Sequence, residues 1–239
     1  MPILLHLRNL SLPGLAVVAL AACNAPAPES APAPTPTTPA PGNAATAPLA
    51  ASEYFETLTE EAFTATPARL DVTIAQAREA ATRDRRDLPA DVTARIDQRL
   101  QEIATHRAAM ARADLALSSV EAYRLFVSAG SKSEPVPVAV SLLDYAGFRY
   151  TADLKAQPAR WDDAMAAADY AAAQWALISD RIGDPALKAR FDAAVTGLKT
   201  ATASRDTANA LSIAGTELDL VDELEAWFTA HPAVPATGA

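Results

Sequence analysis

From residue 51 onward, apolar side chains recur at intervals of three and four, the spacing of one face of an α-helix. Between Val92 and Ala129 the stripe runs Ile96, Leu100, Ile103, Met110, Leu117, Val120 and Val127, and it predicts one long helix. Seven prolines ahead of the C-terminal tail, at 67, 89, 135, 137, 158, 185 and 232, punctuate this region, and interior proline breaks or kinks a helix. Gly183-Asp184-Pro185 places a terminating glycine, an N-cap and a first-turn proline in succession. The pattern therefore divides into four arms: 52–86 with a break near Pro67, 90–129, 138–182 with a break near Pro158, and 186–230. At 1.5 Å per residue each arm would be roughly 50–65 Å long. Short connections favour antiparallel neighbours. The expected fold is all-α, an elongated antiparallel up-down four-helix bundle with proline-broken helices, filling residues 51–231. The sequence shows no convincing internal repeat.

Ahead of the arms the pattern disappears. Residues 24–50 hold 8 Pro and 9 Ala with almost no charge and no aromatic side chain, so they cannot build a core. Such a chain is extended, about 3.1 Å per residue, and would reach as much as ~80 Å. Still earlier, Met1–Arg8 carries one Arg and no acid, and Leu10–Leu20 is an apolar run too short to span a bilayer. It ends in Leu20-Ala21-Ala22-Cys23, small residues directly before a cysteine, as in a cleavable export signal.

Leu20-Ala21-Ala22-Cys23 resembles the lipobox of bacterial lipoproteins. The resemblance implies that residues 1–22 are a signal peptide, and that Cys23 is diacylated on sulfur, becomes the new N-terminus after cleavage and is acylated again. Two or three palmitate-like chains, at about 0.8 kcal/mol per buried CH2, make a lasting membrane anchor. Residues 23–50 are then the lipidated cysteine and its tether, with 232–239 an expected disordered tail. Asn24, where such proteins carry Asp for inner-membrane retention, points to the outer membrane, so the domain is expected to face the periplasm and meet a periplasmic or envelope protein.

Charge and chemistry narrow the function further. With 20 Lys and Arg against 29 Asp and Glu, the net charge is −9 and no basic block exists, which argues against nucleic acid as a partner. One cysteine excludes an internal disulfide, a Cys-pair zinc site and Cys-x-x-Cys-His haem attachment. Hydrolase elbows, His-Glu-x-x-His, phosphate-cradling loops and dinucleotide glycine patterns are all missing. His106 is the one histidine placed to act as a base, since His231 precedes Pro232 at the end of the last arm. Ser118 and Ser119 lie about three turns from it along one helix, some ~18 Å. The domain reads as non-catalytic.

Two levels of the bundle collect candidate binding residues. If the second and third arms pair about a turn near residue 133, positions at equal height sum to about 267, and Pro67, Pro158 and Asn209 fall level with Ala109. His106, Met110, Arg160, Trp161, Met165 and Arg205 surround that level. His106 with Met110 on one helix face, or with Met165 across the bundle, could ligate haem or a soft metal. Both methionines are explained as well by packing, Met165 in a stripe with Trp161, Ala168, Ala172, Trp175 and Ile182. A ferritin-like site is excluded, because Ile103 stands where Glu would be needed. Nearer the 130–137 loop the same pairing brings Glu121 and Arg124 toward Asp144, Tyr145 and Arg149, and Arg149 toward Glu217 and Asp222. This is either an interhelical ion-pair network or a site for an anionic or metal ligand. The acidic stretch Glu217–Glu225 reads as a solvated helix face with Leu218, Val221, Leu224 and Phe228 inward. The function expected is that of a membrane-anchored binding protein for a partner or small ligand, with metal or haem carriage through His106 as the alternative.

Overall fold

The computed structural model describes residues 47–130 and 136–232. Cys23, its flanking segments and the tail beyond Pro232 lie outside the described residues. The fold is all-α, with no strand among the described residues. Eight helices follow one another: α1 Ala47–Glu61, α2 Pro67–Asp84, α3 Ala90–Ala108, α4 Arg112–Ala129, α5 Val138–Lys155, α6 Trp161–Ile178, α7 Pro185–Ser204 and α8 Thr207–Ala230. One-turn 3-10 helices at Arg85–Asp87 and Ser179–Arg181 follow α2 and α6.

Helix starts are chemically specified. Thr66 Oγ1 accepts from Arg69 N (3.3 Å) ahead of Pro67, Asp184 Oδ1 from Ala186 N (2.8 Å) ahead of Pro185, and Asp206 Oδ1 from Asn209 N (3.1 Å). Each satisfies an amide that the first helical turn leaves open. Chain breaks at Pro67 and Pro158 are observed, the latter after a cis peptide bond.

The four long arms, however, do not form. The expected single helix 90–129 is α3 and α4, separated by Met110 in a left-handed conformation (φ 55°), and 186–230 is α7 and α8, separated by Arg205 (φ 52°). An α-helix cannot run through such a residue. Every arm folds back on itself. Tyr145 of α5 meets Tyr170 of α6 edge to face at 5.4 Å, Ser118 of α4 reaches Glu102 of α3 (3.4 Å), and Arg190 of α7 pairs with Glu223 of α8. A straight or kinked rod would hold these pairs tens of ångströms apart. The helices, 15 to 24 residues long, are therefore about half the expected length.

Two quartets result. In the first, α1 packs on α2 and α4, and α3 on α4 and more lightly on α2; in the second, α5 packs on α6 and α8, and α7 on α6 and α8. Neighbours run antiparallel: Phe55 stacks on Phe126 while Ala62 lies by Arg112, and Arg78 meets Leu100 while Asp71 meets Arg107. Each quartet has its own core, one around Phe55, Leu70, Ile96, Ile103 and Phe126, the other around Tyr150, Trp175, Phe191, Val221 and Phe228. The antiparallel α4–α5 pair joins them, with Tyr145 and Ala152 of α5 buried in the first core.

The second quartet repeats the first, a relation hidden in the sequence. Connections α1–α2 and α5–α6 are residues 62–66 and 156–160; the 3-10 turns stand 94 positions apart; the left-handed Met110 and Arg205 stand 95 apart. Burial repeats at the same offset. Phe55, Ile96, Ile103, Leu115, Leu125 and Phe126 correspond to Tyr150, Phe191, Leu198, Ala210, Leu220 and Val221, all buried. In α2 and α6 the buried positions Leu70, Thr73, Ile74, Ala77 and Ala81 correspond, 94 apart, to Ala164, Ala167, Ala168, Ala171 and Trp175.

Met110→Gly and Arg205→Gly test this reversal. In continuous helices each would cost about 1 kcal/mol. At left-handed turns each is expected to stabilise by about 0.5–1 kcal/mol, since glycine adopts φ > 0 without strain. Urea denaturation of the two variants reads the sign.

Candidate functional site

The connections 62–66, 109–111 and 156–160 gather at one end of the helices. Arg112 donates to Ala62 O (2.6 Å) and Ala65 O (3.0 Å), Arg107 to Pro67 O (3.0 Å), and Arg160 pairs with Asp114. The level that the register places at the height of Ala109 is thus an end of the helices. His106 is half-buried near the end of α3, while Met110 is 46% exposed, so the i,i+4 face expected of the two does not exist. Met110 sulfur accepts from Arg107 Nη1 at 3.0 Å instead. Trp161 and Met165, both half-buried, start α6 in the other quartet, and Trp161 packs on that core. Among the described residues no three His, Cys, Asp or Glu are grouped as a metal site requires.

The second candidate cluster assembles around Glu121 in the α4–α5 pair. Glu121 Oε1 accepts from Tyr145 Oη and from Arg149 Nη1, each at 2.6 Å, and Oε2 accepts from Arg124 Nη2 at 2.8 Å. Arg149 Nη1 also donates to Tyr145 Oη (2.7 Å), and the Arg124 guanidinium lies 5.3 Å from the Tyr145 ring centroid. Burial pushes the Glu121 carboxyl up, but hydrogen bonds from Tyr145 and Arg124 and the charges of Arg124 and Arg149 outweigh it and hold the group below its ordinary range. This part of the cluster is a satisfied ion-pair network.

Asp144 does not join it. Five residues separate it from Arg149, about 140° around a helix. It is buried instead among acids, and burial followed by the charges of Glu56 and Glu225 raises its carboxyl well above the ordinary range. Glu56 and Glu225 line a crevice of about 330 Å³ with Ser52, Tyr123 and Val138, and burial with the charge of Glu60 pushes Glu56 up to about 7. Nor does Arg149 reach Glu217. That residue is 0% exposed, and neither carboxyl oxygen has a hydrogen-bond partner among the described residues. Its room comes from Gly147, where a Cβ would stand 2.2 Å from Glu217 Oε2. Asp219, Asp222 and Glu223 form the exposed ridge that the helix pattern predicts.

Beside Glu121 the network opens into a cleft of about 400 Å³ bounded by α3, α4, α5 and the start of α6. Arg99, Ser118, Glu121, Arg149, Asp153, Arg160 and Asp163 line it with Leu117. All three arginines of the lining are engaged: Arg99 with Glu102, Arg149 with Glu121, Arg160 with Asp114. Asp153 is different. It is 1% exposed, its Oδ2 has no hydrogen-bond partner among the described residues, and the same holds for Arg149 Nε, 3.8 Å away. Burial pushes the Asp153 carboxyl up to about 6, against the opposing charge of Arg149 and with help from Asp163. The wall of the cleft thus holds one acceptor and one donor, both buried, that face each other as an ion pair without a hydrogen bond. Asp153 escaped the sequence reading, although its i+4 spacing from Arg149 was there to be seen. No known protein family, curated protein or solved structure matches the chain.

Two outcomes follow from the buried carboxyls. A carboxyl whose folded pKa is raised favours the folded state while protonated; its contribution is whole below the ordinary range and is lost as pH climbs through the folded value. With Asp153 near 6 and Glu56 near 7, stability is expected to fall between about pH 4.5 and 7.5, and denaturant midpoints measured across that window check it. For Glu217 the first quartet supplies the control. Gly147 and Glu217 correspond to Ser52 and Ala122, both buried. Gly147→Ser alone is expected to cost about 1–3 kcal/mol by overpacking. Adding Glu217→Ala, which recreates the Ser52–Ala122 pair, should recover most of it, read as favourable coupling in a double-mutant cycle.

Proposed function

We propose that this chain is a lipid-anchored protein of the bacterial cell envelope that binds a small polar ligand in the α3–α6 cleft without transforming it. The observation that carries the reading is the pair of open valences, Asp153 Oδ2 and Arg149 Nε, in a cleft of about 400 Å³. Buried polar groups are almost always hydrogen-bonded, so a buried acceptor and donor left open 3.8 Å apart favour a molecule that bridges them. A ligand hydroxyl does this with one atom, accepting from Arg149 and donating to Asp153. Glu121 and Tyr145 hold the Arg149 guanidinium in place through Nη1, with Arg124 on the other oxygen of Glu121, and Nε faces Asp153 Oδ2. In this reading each quartet is an antiparallel up-down bundle, and the first junction between bundles forms the site.

The anchor rests on Leu20-Ala21-Ala22-Cys23 and the Pro- and Ala-rich stretch after it, which would let the helical part stand clear of the membrane facing the periplasm.

Calorimetry of the purified chain against polyols, sugars, amino acids and small carboxylates tests the site. At least one hydroxyl-bearing compound is expected to bind saturably, and Asp153→Asn or Arg149→Gln to weaken it about tenfold or more with the helical content unchanged. Equal responses in wild type and both variants refute the site. Cys23→Ser is expected to abolish palmitate incorporation and move the chain from the membrane to the soluble periplasmic fraction; a chain that is unlabelled to begin with refutes the anchor.

A further inference from the structure

The two quartets carry the same groove with opposite chemistry. Between α3 and α4 the groove holds Arg99, Ser118 and Glu121, and α5 lies over it with Arg149 bonded to Glu121. Ninety-five positions later these residues are Ala194, Ile213 and Thr216, in a groove of about 470 Å³ whose lining comes from α7 and α8 alone, with Leu220 in its floor. In the first groove, polar groups meet a polar helix. The second is apolar and has no described helix over it.

The helix that would complete the second groove can be read from the repeat. The counterpart of α5 is α1, and the counterpart of Arg149 is Tyr54, an aromatic residue 37% exposed two turns before Glu61, whose carboxylate bonds Arg69 and Thr73 of α2. The exchange is concerted: where the covered junction pairs Arg149 with Glu121, the open positions offer Tyr54 and Thr216 beside Ile213. We propose that α1 of a second copy of this chain docks in the α7–α8 groove, with Tyr54 seated against Ile213 and Leu220. Such a contact repeats between molecules the junction that α4 and α5 make within one. It is heterologous, because each copy keeps a free groove at one end and a free α1 at the other, so it extends rather than closing at a dimer. The contact is apolar at its centre and acidic on balance at its rim, with Glu53 and Glu60 exposed on α1 and, beside the groove, Asp219 and Glu223 against the one cation Arg190, which already pairs with Glu223. Added salt therefore strengthens it by screening.

Sedimentation of the full chain carrying Cys23→Ser, which leaves the helices untouched, tests the proposal from micromolar to submillimolar concentration. The mean mass is expected to rise with concentration past that of a dimer, and further with salt. Ile213→Asp and Tyr54→Asp, both at partly exposed positions, should each leave a monomer with unchanged helical content. Mixing the two variants is the discriminating arm: one retains an intact α1 face and the other an intact groove, so a heterodimer is expected that grows no further. A wild-type chain that stays monomeric throughout, a dimer indifferent to both substitutions, or crosslinks from position 213 in cells that reach only other proteins would overturn the head-to-tail contact.

Discussion

Chain reversal at Met110 and Arg205 is the constraint from which the rest of the architecture follows. Both residues hold a left-handed backbone that an α-helix cannot accommodate, although the apolar stripe on either side is long enough for one continuous helix. Reversal there makes each stripe bury its own other half. Short helices joined by short connections then surround two separate cores, around Phe126 and around Phe191, in place of one extended core. The same reversals bring the connections 62–66, 109–111 and 156–160 to one end, where Arg112 closes carbonyls left open after α1, those of Ala62 and Ala65, and Arg107 reaches Pro67 at the start of α2. Helix ends demand such partners, because the last carbonyls of a helix have none within it.

Electrostatics separates groups the fold satisfies from groups it tolerates. Glu121, partly buried, is surrounded by donors from Tyr145, Arg149 and Arg124, and its charge is held. Glu217 is more deeply buried and has no such donors among the described residues, so its carboxyl is driven toward the neutral form. The first quartet shows that the helix contact does not require this acid, since Ala122 and Ser52 occupy the corresponding positions and are equally enclosed. An unpartnered carboxyl in a core is a cost of a few kcal/mol that packing at the same place avoids.

Helices and proline breaks were legible because both are local signals. Pairing within the α4–α5 hairpin was legible too, since it needs only the position of one turn; that is why Glu121, Tyr145 and Arg149 could be brought together by register. Met110 and Arg205 carried no such mark. Neither is glycine or proline, and the apolar spacing continues across both turns; only Asp206, a helix cap, hinted at the second. The repeat was hidden for a related reason. What recurs is burial, with Ile96 matched by Phe191 and Phe126 by Val221, while identities have been lost. Asp144 and Glu217 were misplaced because equal height along the helices was taken to bring them to Arg149, whereas height alone does not fix the face on which a side chain stands.

The repeat also makes clear why the two grooves carry opposite deficits. A groove roofed by another helix must satisfy the polar groups it encloses, and between α3, α4 and α5 this is nearly achieved: Arg99, Glu121 and Arg160 all find partners, while Asp153 Oδ2 and Arg149 Nε face each other as an ion pair without a hydrogen bond. What is left there is a deficit of hydrogen bonds. Between α7 and α8 the polar side chains sit on the rim, where Arg190 and Glu223 pair in water, and Ala194, Ile213 and Leu220 form the floor. What is left there is apolar surface. Hydrogen-bond deficits are met by a small molecule or water that reaches inward, whereas apolar surface is met only by another apolar surface of matching shape. Two copies of one helical unit thus come to present different kinds of incompleteness, the difference residing in a handful of side chains on unchanged backbone positions.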